Sequence, residues 1–164
     1  MSMESLKDVY IDQLQDIYSA NKQSADVTIE LAKAATNEEL KEALRTGVKG
    51  IRDGMDKVAG IVRDHDADPD GEHCKGMEGL VEEAKAHALE EEFGDDDARD
   101  AMIITQYQRI AHYAIAGYGC VAAFAGRLDF HEDKGTLEDC LDACYDGDRR
   151  MTELASSGIN EAAA

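Results

Sequence analysis

The chain has 164 residues, no Trp, a single Pro and a formal charge of −19, from 36 acidic against 17 basic side chains. A field of that sign repels phosphate backbones and anionic lipid, which excludes nucleic acid and membrane surfaces as partners. Aromatic residues make up 5% and helix formers dominate, so the composition predicts one all-α domain over residues 1 to 164 with room for a sizeable core.

Residues 4 to 35 predict the first helix. Its seam, Tyr10, Leu14, Ile17, Asn21, Ser24, Thr28, Leu31 and Ala35, advances by steps of four and three, as one face of a bundle helix does, and its middle is polar. Thr36-Asn37-Glu38-Glu39 ends that run and caps a second helix over 37 to 64, with Leu40, Leu44, Gly47, Ile51, Gly54, Val58 and Ile61 as its seam. Gly47, Gly50, Gly54 and Gly60 fall inside this helix. Each weakens it by about 1 kcal/mol against Ala, so they are expected to admit a close neighbour or to leave a void. The short connection makes the first two helices antiparallel neighbours.

Asp64 to Gly71 is rich in turn formers. The alternating Asp64, Asp66, Asp68 and Asp70 imitate a calcium loop, but Pro69 and Lys75 stand where such a loop needs Gly and Glu. A shorter helix is expected over 77 to 92 and a third long one over 96 to 128, carrying Ile104, Gln108, Ala111, His112 and Ile115 on its inner face. The last helix is expected over 137 to 155, with Leu137, Leu141, Cys144, Asp148, Met151 and Ala155 inward, and the tail from 156 to 164 is expected to fray. Two antiparallel pairs joined by a long crossover with its own helix make a four-helix bundle.

No apolar run approaches the ~20 residues of a membrane span, and Met1 to Asp8 hold no signal-peptide core. Cys74, Cys120, Cys140 and Cys144 are too few for a disulfide framework in a chain of this length, so the cytoplasm is the expected compartment.

Several segments, taken in order, resemble the YciE/YciF-like family of bacterial ferritin-like proteins. They are Leu14 to Gln23, Ala34 to Leu44, Cys74-Lys75-Gly76-Met77-Glu78-Gly79-Leu80-Val81-Glu82-Glu83, His112 to Gly119, and Leu137 to Ala155. The crossover stretch from Cys74 is the most specific of these. The resemblance implies a ferritin-like antiparallel bundle, a homodimer and an association with stress responses. It also implies inward carboxylates and histidine-type ligands for a pair of metal ions, as a di-metal bundle site requires.

Carried over position by position, the carboxylates are missing. The first-helix Glu of the family is Asn21, the second-helix Glu-Glu-Thr has become Lys49-Gly50-Ile51, and the polar residue four positions after its second Glu is Gly54. In the third helix, Glu-His-Tyr-Glu is Ala111-His112-Tyr113-Ala114. In the last, the expected Glu is Cys144, while Asp148 stays acidic. These replacements also avoid packing unpaired carboxylates in a dry core, so no cofactor is expected.

Asn21, Gln108, His112, Cys144 and Asp148 remain as candidate residues at the bundle centre, where they would form a polar pocket, a buried polar network or a rebuilt Cys/His/Asp metal site. Cys140 and Cys144 lie one turn apart, but zinc needs two further ligands. The tyrosines at 10, 18, 107, 113 and 118 are expected in the core. No nucleophile and base, phosphate-cradling loop or paired acid/base carboxylates are recognisable, so catalytic residues are expected to be none. Three readings follow: a metal-free, non-enzymatic bundle acting through its surface or as a dimer, a small-ligand binder using the vacated centre, and a metalloprotein with a rebuilt site.

Overall fold

Ser5 starts the first helix by reciprocal capping: its hydroxyl accepts from Asp8 N–H at 3.2 Å, and the Asp8 carboxylate accepts from Ser5 N–H at 2.8 Å. The structure, a computed structural model, describes residues 3–164. From that cap α1 runs over Leu6–Ala34, and every residue of its expected seam from Tyr10 to Ala35 is buried. Asn37 caps α2, Glu38–Asp64, through Oδ1 to Leu40 N–H at 3.0 Å. The turn between them is held by Asp100, a fully buried carboxylate that accepts from Thr36 N–H, Thr36 Oγ1–H and Asn37 N–H at 2.7 to 2.8 Å.

After a single 3₁₀ turn, Pro69–Gly71, the crossover forms α3, Lys75–Ala84. It widens into a π-helical turn, Lys85–Glu90, so the expected helix to residue 92 is two segments. Cys74 anchors its start. The Cys74 N–H donates to Ser19 Oγ at 3.0 Å, its carbonyl accepts from Gln23, and its Sγ lies 3.0 Å from the Tyr113 hydroxyl. Tyr113 in turn donates to Asp16 at 3.0 Å. A Cβ at Gly76 would stand 2.8 Å from the Tyr113 ring, so glycine is what lets the crossover lie this close.

Asp95 caps α4, Asp96–Arg127. The last long helix, α5, covers His131–Leu154 and starts ahead of the expected residue 137. Asp129, at φ 61°, reverses the chain in the left-handed region, which Asp tolerates, and Phe130 packs its ring 5.7 Å from Tyr10 and 4.7 Å from His65. The turn is therefore tighter than its sequence suggests, and the expected start at Leu137 lies inside the helix. The tail also departs from expectation. It continues as a π-helical turn, Ala155–Ile159, and α6, Asn160–Ala162, because Ile159 is buried against the bundle.

α1 packs on α2 and α4 on α5, giving a four-helix bundle crossed by α3. Its apolar core divides in two. Leu31, Leu44, Met77, Ile103 and Met151 centre one half, and Leu14, Val58, Val62, Val121 and Leu137 the other. The polar middle of α1 lies between them. There Ser24 and Thr28 turn their hydroxyls back to the carbonyls of Asn21 and Ser24, so the segment is buried without unpaired groups.

Candidate functional site

Where the core divides, small residues face each other across α2 and α5, the pair of bundle neighbours with the least packing between them. Gly47, Gly50 and Gly54 on α2 oppose Ala143, Cys144 and Gly147 on α5, and a cleft of about 630 Å³ opens between the two helices. Its floor comes from α1 and α4: Asn21, Ile110, Ala111, Ala114 and two tyrosines, Tyr107 and Tyr118.

The two tyrosines project from one face of α4, three turns apart. Tyr118 accepts a hydrogen bond from Asn21 Nδ2 at 2.8 Å. A Cβ at Gly54 would meet the Tyr118 hydroxyl at 2.6 Å, and one at Gly47 would collide with the Tyr107 hydroxyl. Gly50 has nothing within 4 Å of where its Cβ would be. The glycines of α2 thus do both things expected of them: Gly47 and Gly54 admit tyrosines, while Gly50 and Gly60 have open space beside them.

Burial sets the protonation of this region. It pushes the Tyr107 phenol up to about 12, with Cys144 and Asp148 adding to the shift. Tyr118 is raised further by the same cause. Burial and the neighbouring Cys140 push the Cys144 thiol up to about 12. The groups are neutral at physiological pH, which suits hydrogen bonding and packing rather than nucleophilic attack.

Of the five residues expected at the centre, the structure brings two together there, Asn21 and Cys144. Gln108, His112 and Asp148 are elsewhere. The His112 side chain is 62% exposed, with Nε2 3.0 Å from Asp148 Oδ1, and Gln108 donates to that oxygen at 3.1 Å and to Thr152 Oγ1 at 2.9 Å. They form a polar seam on the outer edge of α4 and α5. The inner face of α4 follows Ile103, Ile104, Tyr107, Ile110, Ala111, Tyr118, Val121 and Ala125, which keeps Ile104 and Ala111 of the expected face and leaves Gln108 and His112 outside it. Each follows an inner residue by one position, about 100° of helix rotation, which carries His112 out to solvent. Tyr107 and Tyr118, expected only as core residues, line the site as well. Their common face, three turns apart, was the available signal.

The positions at which the resemblance implies ligands, Asn21, Gly50, Gly54, Ala111, Ala114 and Cys144, all line the cleft. The donor set does not fit a pair of metal ions. It offers one amide and one thiol, and no group of three or more His, Cys, Asp or Glu stands close enough to hold an ion among the described residues. Tyr118 and Tyr107 reach into the space instead.

Fold and site together define an all-α four-helix bundle whose convergent inner positions carry small and neutral side chains. The chain belongs to the family described as Domain of unknown function (DUF892), whose model matches residues 5–164. It is 31% identical to Protein YciF of Escherichia coli strain K12 over 164 residues, 99% of this chain and 98% of that protein. The crystal structure of the E. coli stress protein YciF matches with a TM-score of 0.89 at 31% identity, over 96% of this chain and 99% of that one. YcfI from Rhodopseudomonas palustris matches with a TM-score of 0.85 at 25% identity, over 93% and 97% of the two chains. No described helix is long and apolar enough to cross a membrane.

Proposed function

We propose that this chain is a metal-free, non-enzymatic member of its family, serving a stress-associated role as a structural or interaction protein. The observation that carries the reading is the fate of the centre, where Asn, Gly, Ala and Cys replace the carboxylates the resemblance implies and tyrosines enter the space. The association with stress rests on the E. coli relative, described as a stress protein. The neutral tyrosines and thiol offer no acid/base pair tuned near neutrality. The homodimer that the resemblance implies belongs to the same reading, as does a cytoplasmic setting, supported by four free cysteines.

Elemental analysis of tag-free protein, before and after anaerobic Fe(II) loading, tests the reading. No stoichiometric metal in either sample is expected. Two equivalents per chain would return the protein to oxygen chemistry. Sedimentation of the same sample reads the dimer.

A further inference from the structure

Loss of a metal site would leave either a collapsed core or a sealed void, and the structure has neither. The α2/α5 cleft, at about 630 Å³, is as large as many small-molecule sites, which run from about 300 to 1,000 Å³. Its walls are mainly apolar, with Ile51, Ile110 and Met151 beside the small residues. Single-residue drift to Gly and Ala explains the space. It does not explain the chemistry around it.

Two features point to an occupant. The first is the Tyr107 hydroxyl. Tyr107 is 5% exposed, its ring is packed in the core, and its hydroxyl reaches between Gly47 and Gly147 on the cleft walls. Among the described residues it has no hydrogen-bond partner, whereas Tyr118 beside it is paired with Asn21. No sealed side-chain polar atom lacks a partner among the described residues, so this unpaired hydroxyl opens onto the cleft, where an occupant can pair with it.

The second is the rim. Glu39, Glu42, Asp53, Asp139 and Asp146 edge the cleft with Lys57 and Arg150, and Arg45 and Arg149 pair with Glu42 and Asp146 from beside it. Arg150 is taken up by Glu39 at 3.1 Å, an ion pair that bridges α2 and α5 at one end of the opening. The net field at the mouth is negative and adds to that of a chain carrying −19. An anionic ligand is repelled. A second copy of this chain would bring the same charge onto the same rim, so self-association does not complement it.

We infer that the cleft is a binding site for a small organic cation with a flat apolar body, whose N–H group donates to the Tyr107 hydroxyl oxygen while its body lies on the small-residue walls. The acidic rim draws the cation in. The site is independent of the metal question, since it needs none of the missing carboxylates.

The test uses metal-free protein and proflavine, a planar aromatic cation, with the anion 8-anilinonaphthalene-1-sulfonate as its charge-reversed counterpart, both by isothermal titration at moderate salt. Proflavine is expected to bind one per chain, at least about tenfold more tightly than the anion. A Cβ at Gly50 meets nothing within 4 Å, so Gly50→Leu starts a side chain in open space at the cleft wall; it should fold at least as stably and lose about tenfold or more of the proflavine affinity. Tyr107→Phe should weaken binding about fivefold, the equivalent of one hydrogen bond. Three results would overturn the inference. They are no saturable binding, equal affinity in the wild type and Gly50→Leu (the cation then being condensed on the acidic surface), and equal affinity for the anion. A dimer that Gly50→Leu disrupts would give the cleft to a second chain instead. An iron-binding result would bear on the metal-free reading and leave this one standing.

Discussion

Asn21 on α1 donates from Nδ2 to the Tyr118 hydroxyl on α4 at 2.8 Å, across the place where the apolar core divides in two. Both residues are buried, so each satisfies a polar group of the other. Tyr118→Phe removes the hydroxyl and leaves the amide N–H unpaired, for an expected loss of about 1 to 3 kcal/mol. Adding Asn21→Leu to it should recover part of that loss, because no orphaned donor remains. Urea unfolding of the two single variants and the double variant checks it, and strictly additive losses would mean the pair is not coupled. Asn21→Glu alone should take up no stoichiometric iron, since the facing positions carry no carboxylate.

The glycines of α2 are expected to behave in opposite ways. Gly54→Ala would place a Cβ 2.6 Å from the Tyr118 hydroxyl and should destabilise the protein by about 1 to 3 kcal/mol. Gly50→Ala meets nothing and should stabilise it by about 1 kcal/mol through helix propensity. Thermal unfolding separates them. Equal shifts of the same sign would contradict the placement of the tyrosine.

These contrasts show what the sequence made legible. The seam of α1 alternates apolar and small polar residues against charged ones, so its phase was readable to the residue. On α4 the phase was not, because Ala111, Ala114, Ile115 and Gly117 put apolar or small residues on most of the circumference. His112 then looked like an inward polar residue in an apolar run, when its ring is on the outer edge beside Asp148. The positions converging on the cleft were readable from the family pattern. That tyrosines would reach into their space was not, because it depends on the distance between α4 and the glycines of α2.

Asp100 should be the most sensitive polar position. It is 0% exposed, and three donors of the α1–α2 turn end on its carboxylate. Asp100→Ala strands all three, and a loss of about 3 kcal/mol or more is expected. Hydrogen exchange should show the Thr36 and Asn37 amides losing protection first. Unchanged protection at those two amides would remove Asp100 from the turn.

Alkaline pH should weaken the fold from a definite point. Folded Tyr107 titrates near 12 against an ordinary 10.0, and Cys144 near 12 against 9.0. Between the ordinary and the raised values the unfolded chain has released protons that the folded chain keeps, so stability falls as pH rises. The contribution is fully present below about pH 9. Above it Cys144, and from about pH 10 Tyr107 as well, each remove about 1.4 kcal/mol per pH unit. Urea midpoints that stay flat from pH 8 to 11 would contradict the burial of both groups, and Tyr107→Phe should make the fall less steep only above about pH 10, since other raised tyrosines, Tyr118 among them, remain.

The cysteines offer a separate reading of the cleft. Cys120 is exposed on the outside of α4, Cys144 is half-buried on the cleft wall, and Cys74 and Cys140 are buried. A maleimide at neutral pH should modify Cys120 first. Cys144 should follow slowly, because its raised pKa leaves almost no thiolate to attack. Cys74 and Cys140 should react only on unfolding. Saturating proflavine should then protect Cys144 and leave the rate at Cys120 unchanged, since Cys144 lines the cleft, as the buried Cys140 does, and Cys120 does not. Mass spectrometry of the digested protein assigns each rate to its residue. Equal protection of both cysteines would place the cation on the general surface, and none at Cys144 would place it outside the cleft.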